Sequence, residues 1–126
     1  MPTTWTDDEL DATADFKAAR VLEVGLHTGD PGAAGALLEA TGGSPAYARV
    51  DPAWGASGAE GVLGASQPAT PGIAWGYVEF DVPAGAFTHL SFWGAGDVFL
   101  GSLDIATATT VGQDIVKVSL PMNATT

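Results

Sequence analysis

Cysteine is absent from this 126-residue sequence. The chain therefore has no disulfide, no thiolate nucleophile and no cysteine zinc site, and the redox compartment stays open. Stability must come from packing or from association. The length fits one domain, and a hydrophobic fraction of 46% is enough for a single core.

Basic residues are scarce. Four Lys and Arg stand against fifteen Asp and Glu, which gives a formal net charge of -11. Such a chain repels a phosphate backbone, so we expect no direct binding to nucleic acid. The same charge favours docking on a basic protein surface.

Long apolar runs are also missing. No stretch approaches the roughly 20 residues that a membrane span needs. The N-terminal sequence "MPTTWTDDEL" lacks the basic start and apolar run of a secretion signal. We therefore expect a soluble, unsecreted protein that makes no membrane contact.

Recognised catalytic and metal-binding patterns do not occur. The sequence has no G-x-S-x-G elbow, no D-x-D-x-D-G calcium spacing and no phosphate-loop pattern. Glu79 and Asp81 lie two apart on a predicted strand and are expected on one solvent-facing side. We expect no catalytic residue, no cofactor, no metal and no enzymatic activity.

The two histidines, His27 and His89, are the only side chains whose unperturbed pKa lies near neutrality. Both occupy positions on, or close to, the polar side of alternating segments. We interpret them as partly exposed structural histidines. The stretch "VGLHTGDPGAAG" could hold a reactive cluster of His27, Thr28 and Asp30, but nothing elsewhere completes a site for it.

Glycine, proline and aromatic residues are abundant and favour many turns around a packed core. Thr6 followed by Glu9 is a capping box, and it predicts a helix over residues 7–19. The apolar face of this helix is expected to comprise Leu10, Ala14, Phe16 and Ala18.

From residue 21 the hydrophobic period changes to two, which predicts a strand with one buried face that includes Val24 and Leu26. A long loop is expected over 28–45, with Asp30 bonding to nearby backbone N–H groups in a turn. Pro52 restricts the next strand to a sheet edge or a bulge. "GAGD", at 94–97, predicts a tight hairpin, and residues 55–72 predict a surface loop. The remaining strands are expected in the segments "AYARVDPAW", "GIAWGYVEFDV", "FTHLSFWG", "DVFLGSLDI" and "DIVKVSLPM".

This spacing predicts an all-β fold, an antiparallel β-sandwich of jelly-roll or Greek-key type with a short N-terminal helix. Residues 1–20 are expected to form an N-terminal arm and helix, and residues 21–126 a single β-sandwich domain. Most aromatic residues are assigned to packing. Trp5 stands in the terminal arm with nothing local to pack on, so it is a candidate partner contact, as are Leu37 and Leu38 in the long loop.

The order of several motifs resembles a family of short tailed-bacteriophage virion proteins, described as minor tail, tail fibre or head proteins. Those proteins carry an L-H-T-x-x-P-G segment, a G-G-S-Y-A-R segment, a strand with Leu-Trp, a hairpin, a G-x-L strand and a closing v-G-D-x-l strand. The corresponding pieces lie within residues 22–120: "LHTGDPG", "GGSPAYAR", "FW", "GSL" and "VGQDI". Departures are the inserted Pro45 and Ala46, Phe92 before Trp93 in place of Leu-Trp, and Gln113 in the closing segment.

The resemblance implies an antiparallel β-sandwich with a structural role and no catalytic residues to carry over. The favoured function is a capsid decoration protein that stabilises the major capsid shell. The alternative is a minor tail or tail-fibre protein with a host-surface binding role, and a wall-degrading enzyme ranks last. Expected partners are the major capsid protein or neighbouring virion proteins. A homo-oligomer, as a trimer, is expected, located in the virion after assembly in the host cytoplasm.

Overall fold

The computed structural model describes residues 4–125. One helix and six strands follow in chain order: α1 Asp7–Arg20, β1 Glu23–His27, β2 Ala53–Trp54, β3 Ile73–Val82, β4 Gly85–Gly94, β5 Val98–Thr110 and β6 Asp114–Asn123. The strands form two three-stranded sheets, ordered β1-β4-β5 and β2-β3-β6. The prediction of an all-β sandwich with a short N-terminal helix is confirmed. The finer choice between jelly roll and Greek key stays a prediction.

Helix α1 begins where the capping signal places it. The Glu9 backbone N–H donates to Thr6 Oγ1 at 3.3 Å, which satisfies one of the free donors of the first turn. Ala14 and Ala18 are buried, as predicted, but Phe16 is 67% exposed. Phe16 lies about 200° around the helix from Ala14 at 3.6 residues per turn, so the buried stripe is narrower than expected.

The chain divides into two compact units. The first comprises the described residues up to Arg20, Ala53–Tyr77 and the residues from Ser119 onward. Its core joins Ala14, Ala18 and Ala74, with Trp54, Met122 and Ala124 packed against them.

The predicted surface loop over 55–72 is tied to helix α1 within this first unit. Asp11 Oδ1 accepts hydrogen bonds from the Ser57 hydroxyl at 2.8 Å and the Gly72 backbone N–H at 2.7 Å. Asp15 accepts from the Ser57 N–H at 2.7 Å. Gln67 is fully buried and donates to the Gly76 carbonyl at 2.8 Å. Asp11 and Asp15 therefore order the loop against helix α1.

The second unit comprises Val21–Pro52 and Val78–Val118. It holds the whole β1-β4-β5 sheet, in which Leu26 pairs with Leu90 and Leu90 with Leu103. The predicted hairpin at 94–97 is confirmed, because Gly94 pairs with Val98 across it. Buried side chains of this unit come from both sheets: Val24, Leu26, Val78, Phe80, Val82, Phe87, Leu90, Trp93, Val116 and Val118.

The strand predicted over 46–54 is much shorter in the structure. Only Ala53–Trp54 forms a strand, at the edge of its sheet, and Val50 makes an isolated bridge to Val24. Pro52 lacks the N–H that a continuous ladder needs. The edge position predicted from Pro52 is thus confirmed, while the predicted length is wrong.

Candidate functional site

Strand β1 is buried on both of its faces. Val24 and Leu26 are fully buried, as predicted, but Gly25 and His27 on the opposite face are buried too. The prediction of a partly exposed His27 is therefore wrong. The segment after β1 pairs along the open edge of this strand through bridges at Glu39 and Val50, and the Glu39 and Tyr47 side chains lie against the Gly25 face. His89 does fit its interpretation, since its side chain is 20% exposed and Nε2 lies 2.9 Å from Asp104 Oδ1.

The buried imidazole of His27 links the loop to the sheet. Its Nδ1 lies 2.7 Å from the Leu37 carbonyl oxygen, and its Nε2 lies 2.7 Å from Ser91 Oγ. A carbonyl can only accept, so Nδ1 carries the hydrogen and Nε2 accepts from the Ser91 hydroxyl. Ser91 Oγ in turn accepts from Trp93 Nε1–H at 2.8 Å. All of these buried polar groups therefore have partners.

A second set of contacts surrounds the Glu39 carboxylate. Glu39 accepts from Arg49 Nε and Nη2, each at 3.0 Å, and from the Tyr47 hydroxyl at 2.7 Å. Tyr47 also accepts the Leu26 backbone N–H at 2.9 Å. The Arg49 guanidinium lies over the Trp93 ring, with Cζ 3.8 Å from the ring centroid. This stacking contact connects the residues around Glu39 to those around His27, because Trp93 is hydrogen-bonded to Ser91.

The pKa values of Glu39 and Tyr47 are shifted in opposite directions. Burial alone would raise the pKa of the Glu39 carboxyl, but the hydrogen bonds from Arg49 and Tyr47 outweigh it and hold that pKa below its ordinary value of 4.5. Burial, together with the bond to Glu39, raises the pKa of Tyr47 well above its ordinary value of 10.0. Glu39 is thus held as a carboxylate and Tyr47 as a neutral donor.

Glycine at position 25 allows these groups to meet. A Cβ there would lie 2.5 Å from Ser91 Oγ and 2.9 Å from Glu39 Oε2, distances that real Cβ atoms do not reach. We call the resulting set the polar cluster: His27, Glu39, Tyr47, Arg49, Ser91 and Trp93.

The serine and histidine of the polar cluster make a contact that nucleophilic catalysis also uses, but both residues are 0% exposed. Within residues 4–125, no group of three or more His, Asp or Glu side chains is placed to hold a metal ion. The cluster fixes the segment that follows β1 onto the sheet.

That segment begins with residues 28–38, which we call the leucine loop. Thr28 N–H donates to the Leu38 carbonyl at 2.9 Å, and Thr28 Oγ1 donates to the same oxygen at 3.3 Å. Asp30 Oδ1 accepts from the Gly32 N–H at 2.8 Å, which confirms the predicted turn. His27, Thr28 and Asp30 form no reactive cluster, as expected from the sequence, because these side chains bond to different backbone groups of the loop.

The candidate partner contacts fall in two places. Leu37 and Leu38 lie together on the leucine loop and are 60% and 59% exposed. Trp5 is 59% exposed and belongs to the first compact unit, where it lines an open groove with Glu9, Leu10, Thr13, Ala124 and Thr125. Their role as contacts stays a prediction.

Sequence reasoning missed two members of the polar cluster. Neither Ser91 nor Glu39 is among the residues singled out from the sequence. The available sequence signal was the two-residue spacing of Ser91 and Trp93, which places both side chains on one face of a strand. In the structure, the pairing of β4 with β1 sets these residues beside Gly25 and Glu23. Tyr47 and Arg49 are noted only as part of the "GGSPAYAR" segment, without an assigned role.

Comparison with known proteins identifies one family. A family model described as podophage GP4 fiber I protein gp80 matches residues 6–119. Comparison with curated proteins and with solved structures gives no match. No helix among residues 4–125 is long and apolar enough to cross a membrane. Because the family match covers most of the chain, this protein belongs to the podophage fiber I protein family and is a structural component of a bacteriophage virion.

Proposed function

We propose that the protein is a non-catalytic component of the virion's fibre apparatus. The observation that carries this proposal is the family match over residues 6–119, whose description names a fiber protein. The fold supports the non-catalytic part, because the His27 and Ser91 side chains are buried and hydrogen-bonded to other groups of the chain. Capsid decoration, which the sequence favoured, fits the match no better and is the alternative outcome of the test.

The position of the protein in the particle is tested by labelling. Val111, in the turn between β5 and β6, is 99% exposed, and a Cβ at the neighbouring Gly112 meets nothing within 4 Å. A short epitope inserted between them should leave the fold intact. Immunogold electron microscopy of tagged phage should then label the fibres, with untagged phage as the control. Label spread over the head surface would refute the fibre role and support decoration.

Host-surface binding, the second part of the tail-fibre prediction, needs its own measurement. Particles lacking the protein should adsorb to host cells more slowly than complete particles if the protein contacts the host. Equal adsorption rates, with label on the fibres, would assign the protein an assembly role within the fibre.

A further inference from the structure

Leu37 and Leu38 form an exposed apolar pair on an uncharged surface. Residues 31–38 contain no ionisable side chain, and Ala33, Ala34 and Ala36 are exposed beside the leucines. Leu37 Cδ1 would lie 3.0 Å from a Cβ at Gly32, and Leu38 Cδ1 2.7 Å from a Cβ at Gly29. Each leucine therefore lies close over a glycine that leaves room for it.

The backbone beneath the pair is fixed by hydrogen bonds. His27 of the polar cluster donates to the Leu37 carbonyl, and Thr28 donates twice to the Leu38 carbonyl. The Leu37 N–H donates to Pro31 O at 3.0 Å. Both leucines are thus presented in one geometry, which lowers the entropy lost when a partner binds.

Leu38 occupies a backbone conformation that leucine rarely adopts. Its φ is 58°, in the left-handed region that favours glycine. Since the side chain is 59% exposed, burial within the fold recovers little of the cost of this strain. Strained residues of this kind concentrate at functional positions.

Charge selects the kind of partner. Asp30 is the one ionisable residue of the leucine loop and is exposed, the nearby Glu39 is paired with Arg49, and the whole chain carries -11. A second copy of the chain would bring like charge against this surface, whereas a basic surface would be attracted.

We infer that Leu37 and Leu38 insert into an apolar pocket rimmed by lysine or arginine side chains on a neighbouring virion protein. This inference rests on the proposed fibre role, because it names the chemistry of the protein that holds this one in the particle. Leucine side chains supply the buried contact, and Asp30 with the net negative charge of the chain sets the orientation and rate of association.

The test is incorporation into the particle. Phage carrying L37A/L38A in this gene should contain at least tenfold less of the protein per purified particle than wild type, measured by quantitative immunoblot. The matched control is V62A/L63A, because Val62 and Leu63 are another adjacent exposed apolar pair, 50% and 40% exposed, in the first compact unit. The control should be incorporated within twofold of wild type.

A second variant separates binding from folding. L38G suits the left-handed backbone and should keep or exceed the wild-type melting temperature while reducing incorporation. Washing wild-type particles at high salt should release more protein than washing at low salt, because screening weakens contacts with a basic rim.

Normal incorporation of folded L37A/L38A would overturn the inference while leaving the gold-labelled fibre location intact. A change in the oligomeric mass of the purified variant, measured by light scattering, would assign the pair to a second copy instead. Release that is independent of salt would refute the basic rim.

Discussion

Replacing Arg49 with alanine removes three contacts of the polar cluster at once: two hydrogen bonds to Glu39 and the stacking on Trp93. Hydrogen bonds to a charged group contribute about 1.5–3 kcal/mol each, and a cation–π contact about 0.5–2 kcal/mol. Exposed ion pairs contribute only about 0–1 kcal/mol, whereas breaking a buried pair costs about 3–5 kcal/mol. The Arg49 and Glu39 side chains are 24% and 20% exposed, so the loss should fall between these limits, at about 2–3 kcal/mol.

The assay is urea unfolding followed by tryptophan fluorescence, with R49K as the matched variant. Lysine keeps the charge but loses the planar fork and much of the stacking, so R49K should lose about 1–2 kcal/mol. A double-mutant cycle with E39Q isolates the pair and should give a coupling of about 1–2 kcal/mol. A loss below about 0.5 kcal/mol for R49A, or a coupling near zero, would show that the pair is an ordinary surface contact and refute the polar cluster as a stabilising unit.

Three further predictions concern the leucine loop and its support. G35A should destabilise the protein by about 2–4 kcal/mol, because the φ of 73° at Gly35 disfavours alanine and the new Cβ would overlap the Phe99 ring. G112A is the control, because a Cβ at Gly112 meets nothing within 4 Å. Equal urea midpoints for the two variants would contradict the packing of Gly35 against Phe99. Because the folded pKa of Glu39 is lowered, this residue contributes stability above pH 4.5 that is lost as the pH falls through the folded pKa. E39Q should therefore show a shallower loss of melting temperature on acidification, and an unchanged pH profile would remove Glu39 as its cause. L38G should keep wild-type stability or gain up to about 1 kcal/mol. Glycine relieves about 1–2 kcal/mol of backbone strain and costs about 0.5–1 kcal/mol in conformational entropy. A fall of more than about 1 kcal/mol in the free energy of unfolding, measured in urea, would assign the Leu38 side chain to the core.

Local signals predicted much of this fold because they act within a few residues. The Thr6 and Glu9 cap fixes the start of α1, and the alternation of "IAWGYVEFDV" matches the alternating burial of β3. Gly96 and Asp97 take the left-handed conformations that close the hairpin. Each of these features depends on residues close together in the sequence.

The candidate site depends on contacts between distant residues, so the sequence predicted less of it. His27 reaches Ser91 on another strand, and Glu39 reaches Arg49 across ten residues of irregular chain. Period-two alternation predicts one buried face for β1 but does not reveal that a later segment covers the other. The left-handed backbone at Leu38 runs against the preference of leucine, so no local rule predicts it.

The two compact units cannot be separated by one cut in the chain. The polypeptide passes between them four times, at residues 20/21, 52/53, 77/78 and 118/119, and β3 and β6 each contribute residues to both. A fragment that starts at Val21 lacks Ala14 and Ala18, two core residues of the first unit. If two related phages recombined at a single point between Val21 and Val118, each compact unit would combine residues from both parent proteins. Selection on folding should therefore favour inheritance of this gene as a whole, with variation confined to exposed side chains outside the proposed contact, such as Val111.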